Sequence, residues 1–320
     1  MTTMHAVVQH AFGGTDVLRV QEVPRPEPLP TEVLVRVHAA GINPVDWQTR
    51  AGRGMAGVLG EPPFIPGWDV SGVVEEVGFG VTTLKPGDEV YGMPWFPRAA
   101  GGYAEFVTAP ARQFSHKPAT VSHEQAAAVP LAALTAWQAL VDTADIQPGQ
   151  RVLIHAAAGG VGHLAVQFAK HLGAHVTGTA GAGRHSWLKE LGADELVDYN
   201  TVRFEDAVKD IDVVIDLISI HHDNTSVRSL DVLRPGGLLV AIPAGVSPEL
   251  QQAADSRGLR TSPFLVEPDG SALTRIAELI DAGKVKVEVE KVFPLNQVAQ
   301  AHAQGENGRT RGKLVLRVAP

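Results

Sequence analysis

The sequence of 320 residues has no cysteine, only three tyrosines, and no apolar run near the roughly eighteen residues that a membrane-crossing helix needs. Without thiols there are no disulfides, no cysteine nucleophile and no cysteine-containing zinc site. Positive charge is in deficit: 27 Lys and Arg stand against 35 Asp and Glu, a net charge of −8, which disfavours indiscriminate contact with nucleic acid or an anionic membrane. The opening stretch, MTTMHAVVQHAFGG, has neither a charged n-region nor an apolar h-region, so no secretory leader is expected and the cytoplasm is the default location. Thirteen histidines remain as metal ligands, but their spacing is unsuitable. Gly173 breaks the helix that would align His171 with His175, and His221, His222 and Asp223 read as an exposed loop, so no metal site is expected. No Ser–His–Asp set or paired-carboxylate pattern supports hydrolysis.

What is present is organised around residues 152–172, VLIHAAAGGVGHLAVQFAKHL. The apolar run 152–156 reads as a strand buried on both faces of a parallel sheet. After the turn, Val161, Leu164, Ala165, Phe168, Ala169 and Leu172 recur at helical spacing on one face, and Gly173 ends the helix before a second strand over 175–180. Within such a strand–turn–helix–strand unit a glycine turn reads as a dinucleotide fingerprint. Its backbone can approach a pyrophosphate closely, and the amides of Ala158, Gly159, Gly160, Val161 and Gly162 at the helix start attract the charge. Ala156 and Ala158 stand where glycines are usual. NAD-specific sites carry an acid about twenty residues on for the ribose 2′-hydroxyl. Here the second strand ends in Thr179, Ala180 and Gly181, and no acid follows until Glu190. Arg184 suits bidentate contact with a 2′-phosphate, or else stands solvated on its loop; with the acid missing, NADPH is favoured.

Residues 1–122 show many short strands (5–8, 18–23, 32–40, 70–77, 89–91, 104–108) broken by Gly and Pro, the pattern of an antiparallel, barrel-like domain. In 32–40, Val33, Val35 and Val37 share one face, as in a half-buried strand. From residue 123 the pattern becomes α/β. A helix over 122–128 has Ser122 as N-cap and Gln125 at the capping-box position, and a second spans 133–142. Strands over 152–156, 175–180, 195–199, 213–217, 238–242 and 259–266, with helices between, predict a Rossmann doubly wound parallel sheet within 123–266. Residues 267–320, with a helix over 273–282 and strands over 287–292 and 313–318, return to the first domain.

Several segments together resemble the medium-chain dehydrogenase/reductase superfamily, and most closely its zinc-independent quinone oxidoreductase and enone reductase branch. They are AGINPVDW at 40–47, PGWDVSGVV at 66–74, LKPGDEVYG at 84–92, GGYAE at 101–105, LAALTAW at 131–137, the turn at 157–162, LGAD at 191–194 and GKLVL at 312–316. The resemblance spans nearly the whole chain and implies that the β-rich domain is GroES-like and catalytic. Zinc-dependent relatives place a Cys in the first segment, a His–Glu pair in the second and a four-Cys lobe near position 95. Here Asn43 and Asp46, then Gly67-Trp68-Asp69, and a cysteine-free 93–100 stand instead, which implies a reductase without zinc.

The resemblance also implies roles for individual residues, each with a plainer alternative. Asn43 holds the nicotinamide ribose or the acceptor carbonyl, or only stabilises the turn before Pro44. Asp46 orients that amide or relays a proton, or is a helix N-terminal acid. Thr135 lies near the nicotinamide or is a buried helix threonine. Tyr199 lies against the 2′-phosphate or covers a sheet edge. Ile242, Phe264 and Val266 line the nicotinamide or are simply apolar strand ends. Trp47 and Trp68 wall an aromatic substrate pocket or belong to the core. The implied activity is hydride transfer from NADPH to a quinone or an α,β-unsaturated carbonyl by a homodimer, with polar groups near Asn43 stabilising the oxyanion and solvent supplying the proton. A pathway-specific enoyl or enone reductase and a non-catalytic NADPH-binding protein are the alternatives.

Overall fold

The computed structural model describes residues 2–218, 223–243 and 245–319; His221 and His222 lie outside them. The chain forms two compact units, Met1–Leu134 with Glu267–Gly283 and Val287–Pro320, and Thr135–Val266 with Lys284–Lys286.

The first unit begins with a two-stranded antiparallel ribbon, Thr3–Gln9 (β1) and Leu18–Pro24 (β2). Then come Glu32–Ile42 (β3), Asp69–Val77 (β4), Glu89–Gly92 (β5), Phe106–Pro110 (β6) and Phe114–His116 (β7). The alternating valines of β3 predict a half-buried strand, yet Val33, Leu34 and Val35 are all fully buried. The reason is pairing: β4 runs along most of β3, β6 covers its first half, and a strand from the C-terminal end of the chain covers its second half.

The second unit holds Arg151–Ile154 (β8), His175–Thr179 (β9), Glu195–Val197 (β10), Ile211–Asp216 (β11), Leu233–Ala241 (β12) and Arg260–Pro263 (β13). Their order is β10-β9-β8-β11-β12-β13 and every neighbouring pair is parallel. This is the doubly wound order in which the chain reverses direction between the first and fourth strands, the place where such sheets take their ligands. The expected helix over 133–142 is instead Pro130–Trp137 followed by a wider turn, Gln138–Thr143, in which Ala144 N–H reaches back five residues to Ala139 at 3.0 Å.

The chain then returns to the first unit with Val289–Pro294 (β14) and Lys313–Arg317 (β15), which complete the larger sheet in the order β14-β15-β3-β4-β5-β7. Between them lies the helix Val298–Glu306, which the sequence pattern does not announce. Its buried positions, Val298, Ala301, His302 and Gly305, have helical spacing, but a histidine and a glycine stand where apolar side chains would mark the face.

The helix Gly162–His171 leaves β8 through a turn that needs Gly162, because a Cβ there would fall 2.3 Å from the Ala156 carbonyl oxygen. Gly162→Ala should therefore cost about 1–3 kcal/mol, read as a lowered urea midpoint. An unchanged midpoint would show that this turn is not close-packed.

Candidate functional site

In the first unit the polar centre starts where β3 ends. Asn43 has extended backbone angles (φ −128°, ψ 154°) and caps the helix Pro44–Arg50, whose first residue is a proline with no N–H to satisfy. Asp46 turns back to accept the Asn43 N–H at Oδ2, 2.6 Å away, and the same oxygen accepts Tyr103 Oη–H at 2.9 Å. The Asn43 carboxamide is held at both ends. Its Nδ2 donates to Asp69 Oδ2 at 2.8 Å, and Lys313 Nζ donates to its Oδ1. Asp69 also accepts the Leu131 N–H at 2.7 Å and pairs with Lys313 at 3.6 Å. These bonds fix which end of the amide is which, and one Nδ2 hydrogen is left to donate.

All of these groups are buried: Asn43, Asp46, Asp69 and Lys313 are each 3% exposed or less. Burial pushes the Asp46 carboxyl up to about 7 against the opposing pull of the Asn43 and Tyr103 hydrogen bonds. Burial likewise raises the Asp69 carboxyl and lowers the Lys313 ammonium, while their mutual attraction works against both shifts. Perturbed groups gathered at one point are a mark of a functional site. Sequence reasoning named Asn43 and Asp46 but missed Asp69 and Lys313. Both lie inside the segments that carry the resemblance, at 66–74 and 312–316, and a lysine directly before the apolar run Leu314–Leu316 was the available signal.

The two tryptophans have packing partners. Trp68 is 1% exposed, donates Nε1–H to the Arg98 carbonyl at 2.7 Å and meets Phe96 edge-on, so it is packed in the core. Trp47, half-buried, lies against Gly305, where a Cβ would fall 2.6 Å from its ring.

In the second unit the predicted cofactor residues gather at the carboxyl ends of the parallel strands. Ala156 takes the left-handed conformation (φ +47°) where a glycine is usual. The β9 end holds it there, with Ala156 N–H donating to Thr179 Oγ1 at 3.3 Å and Ala157 N–H to the Thr179 carbonyl at 3.0 Å. Behind Thr179, buried His155 joins its Oγ1 at 3.2 Å and Ser229 Oγ at 2.9 Å, and burial pushes the ring's pKa down to about 4. Gly159 N–H closes the turn onto Ala156, whereas the amides of Ala158, Gly160 and Val161 make no backbone hydrogen bond among the described residues. Ahead of the ten-residue helix beginning at Gly162, such amides fit a pyrophosphate. Ala180 and Gly181 continue from β9, and Arg184, half-buried, ends the short helical turn Ala182–Arg184. Tyr199, past the end of β10, is 61% exposed. Ile242 follows β12, Phe264 and Val266 follow β13, and Thr135 is buried in the helix Pro130–Trp137.

Residues 29–119 match the family described as Alcohol dehydrogenase GroES-like domain, and residues 191–316 that described as Zinc-binding dehydrogenase. The residues do not fit a zinc ion: cysteine is lacking, and among the described residues no three His, Asp or Glu side chains are grouped to hold a metal. A mitochondrial NAD(P)H oxidoreductase of Danio rerio is 36% identical over 361 residues, covering 99% of this chain and 92% of the relative. A chloroplastic NADPH-dependent alkenal/one oxidoreductase of Arabidopsis thaliana is 35% identical over 328 residues, covering 99% and 80%. Among solved structures, the quinone oxidoreductase from Coxiella burnetii superposes with a TM-score of 0.94 at 36% identity, covering 99% of this chain and 100% of that one. The Escherichia coli quinone oxidoreductase complexed with NADPH gives 0.85 at 30% identity, covering 99% and 100%.

The Asp46 carboxyl yields a pH-dependent stability. Unfolded, it loses its proton near 3.8; folded, it keeps it to about 7, so the folded state binds the proton more tightly in between. Its contribution is whole below the lower value and lost as pH rises through the upper one. Relative to Asp46→Asn, the wild type should lose on the order of 2–4 kcal/mol between about pH 4 and about pH 8. Urea titrations of both proteins at the two pH values check this, and a constant gap would contradict it.

Proposed function

Because the chain belongs to the medium-chain dehydrogenase/reductase superfamily, in its zinc-independent quinone oxidoreductase and enone reductase branch, we propose that it transfers hydride from NADPH to a quinone or an α,β-unsaturated carbonyl. The observation that carries this reading is the Asn43 carboxamide, clamped by Lys313 and Asp69 with one Nδ2 hydrogen left to give.

NADPH, when bound, supplies the hydride from its nicotinamide. Asn43 donates to the acceptor oxygen on which negative charge develops, and the neighbouring Lys313 ammonium adds a positive field in a buried, poorly screened setting. A conjugated acceptor delocalises the incoming charge itself, so positioning is most of what the protein must provide, and solvent supplies the proton. The amides of Ala158, Gly160 and Val161 hold the pyrophosphate. Arg184 and Tyr199 contact the 2′-phosphate, while Thr135, Ile242, Phe264 and Val266 pack about the nicotinamide. A homodimer and a cytoplasmic location complete the proposal. The first is supported by the branch to which the chain belongs and tested by gel filtration; the second is supported by the absence of cysteine.

Loss of NADPH absorbance with a panel of quinones and enones, against NADH controls, tests the whole reading. Turnover with NADPH preferred is expected, and Arg184→Ala should erode that preference by roughly tenfold through loss of the phosphate contact. Asn43→Ala should lower turnover about a hundredfold or more. Tight NADPH binding with no oxidation by any acceptor would instead mark a binding protein or an enzyme for one narrow substrate.

A further inference from the structure

Behind Asp46 lies a line of buried groups with no part in the reaction described above. His302, fully buried on the helix Val298–Glu306, places Nε2 3.4 Å from Tyr103 Oη. Arg50, at the end of the helix Pro44–Arg50, places Nη1 3.2 Å from His302 Nδ1, and its Nη2 bonds Glu306 at 2.6 Å. The polarity of this line is forced. Arginine can only donate, so His302 Nδ1 accepts, the ring hydrogen sits on Nε2 facing Tyr103, and Tyr103 gives its own hydrogen to Asp46. Burial and the Arg50 charge push the His302 pKa down to about 3, so the ring stays neutral and the polarity holds at neutral pH. The backbone makes room for it: Gly67 has φ +93°, and a Cβ there would fall 2.3 Å from the Tyr103 ring.

Buried charged and polar chains are a weak source of stability, and apolar side chains could fill the same volume. What this line does supply is a single orientation of the Asp46 carboxylate. We propose that Tyr103 and His302, with Arg50 holding the imidazole, are positioning residues for Asn43: they keep Asp46 on the Asn43 amide N–H and so set the place of the Asn43 carboxamide. This rests on the reading of Asn43 as the residue that meets the acceptor.

The test compares His302→Leu, His302→Gln and Tyr103→Phe. Glutamine can accept from Arg50 and donate to Tyr103, whereas leucine can do neither. His302→Leu and Tyr103→Phe should lower kcat about ten- to a hundredfold, as a slight misplacement of a contacting group does. The Kd for NADPH should stay within about twofold, and His302→Gln should recover most of the rate. Wild-type kcat in both His302→Leu and Tyr103→Phe would overturn the proposal, as would equal losses in His302→Leu and His302→Gln. Should the wild type reduce no quinone or enone, the functional reading fails, and positioning is read instead from the side-chain amide resonance of Asn43, identified as the one lost in Asn43→Asp. A shift in His302→Leu that His302→Gln reverses supports the proposal; an unmoved resonance sinks it.

Discussion

The Lys313 ammonium, taken out of water and set between the Asn43 carboxamide and the Asp69 carboxylate, is the interaction on which the first unit's polar centre depends. Removing such an ion from solvent costs several kcal/mol, and only well-placed oxygens offset it. Those oxygens come from residues far apart in the chain, since Lys313 stands 270 positions after Asn43. Asp69 lies on β4, Asn43 just past β3, and Lys313 at the start of β15, which pairs with the second half of β3. The returning C-terminal strand thus does two things at once: it covers β3 and delivers the cation that orients Asn43.

The second unit uses related physics around a different chemical need. Its turn must present the Ala158, Gly160 and Val161 amides, so it cannot be held by bonding those three. Instead the neighbouring strand holds it from behind, through the Thr179 hydroxyl and carbonyl, and this keeps Ala156 in a conformation that alanine seldom adopts. His155 stands behind the Thr179 hydroxyl as His302 stands behind that of Tyr103, in each case a buried ring whose pKa burial pushes down. A neutral imidazole is both donor and acceptor, which lets it pass a fixed hydrogen-bond direction through a core where a charge would be expensive.

Sequence alone determined what rests on local periodicity and local backbone needs. The apolar run 152–154, the helical spacing from Val161 to Leu172 and the glycines between them identify the nucleotide-binding unit, because a buried strand, an amphipathic helix and a tight turn each impose their pattern within a few residues. The capping box at Ser122 and Gln125 was legible for the same reason. Tertiary structure decided what depends on partners distant in the chain. Whether a strand lysine meets solvent or a carboxylate, whether His302 on a weakly marked helix faces the core, and whether Trp68 is packed in the core are settled by which segments pack together. Burial makes those pairings decisive, since a charge or hydroxyl enclosed away from water must find its partner across the fold, and no spacing along the chain records where that partner lies.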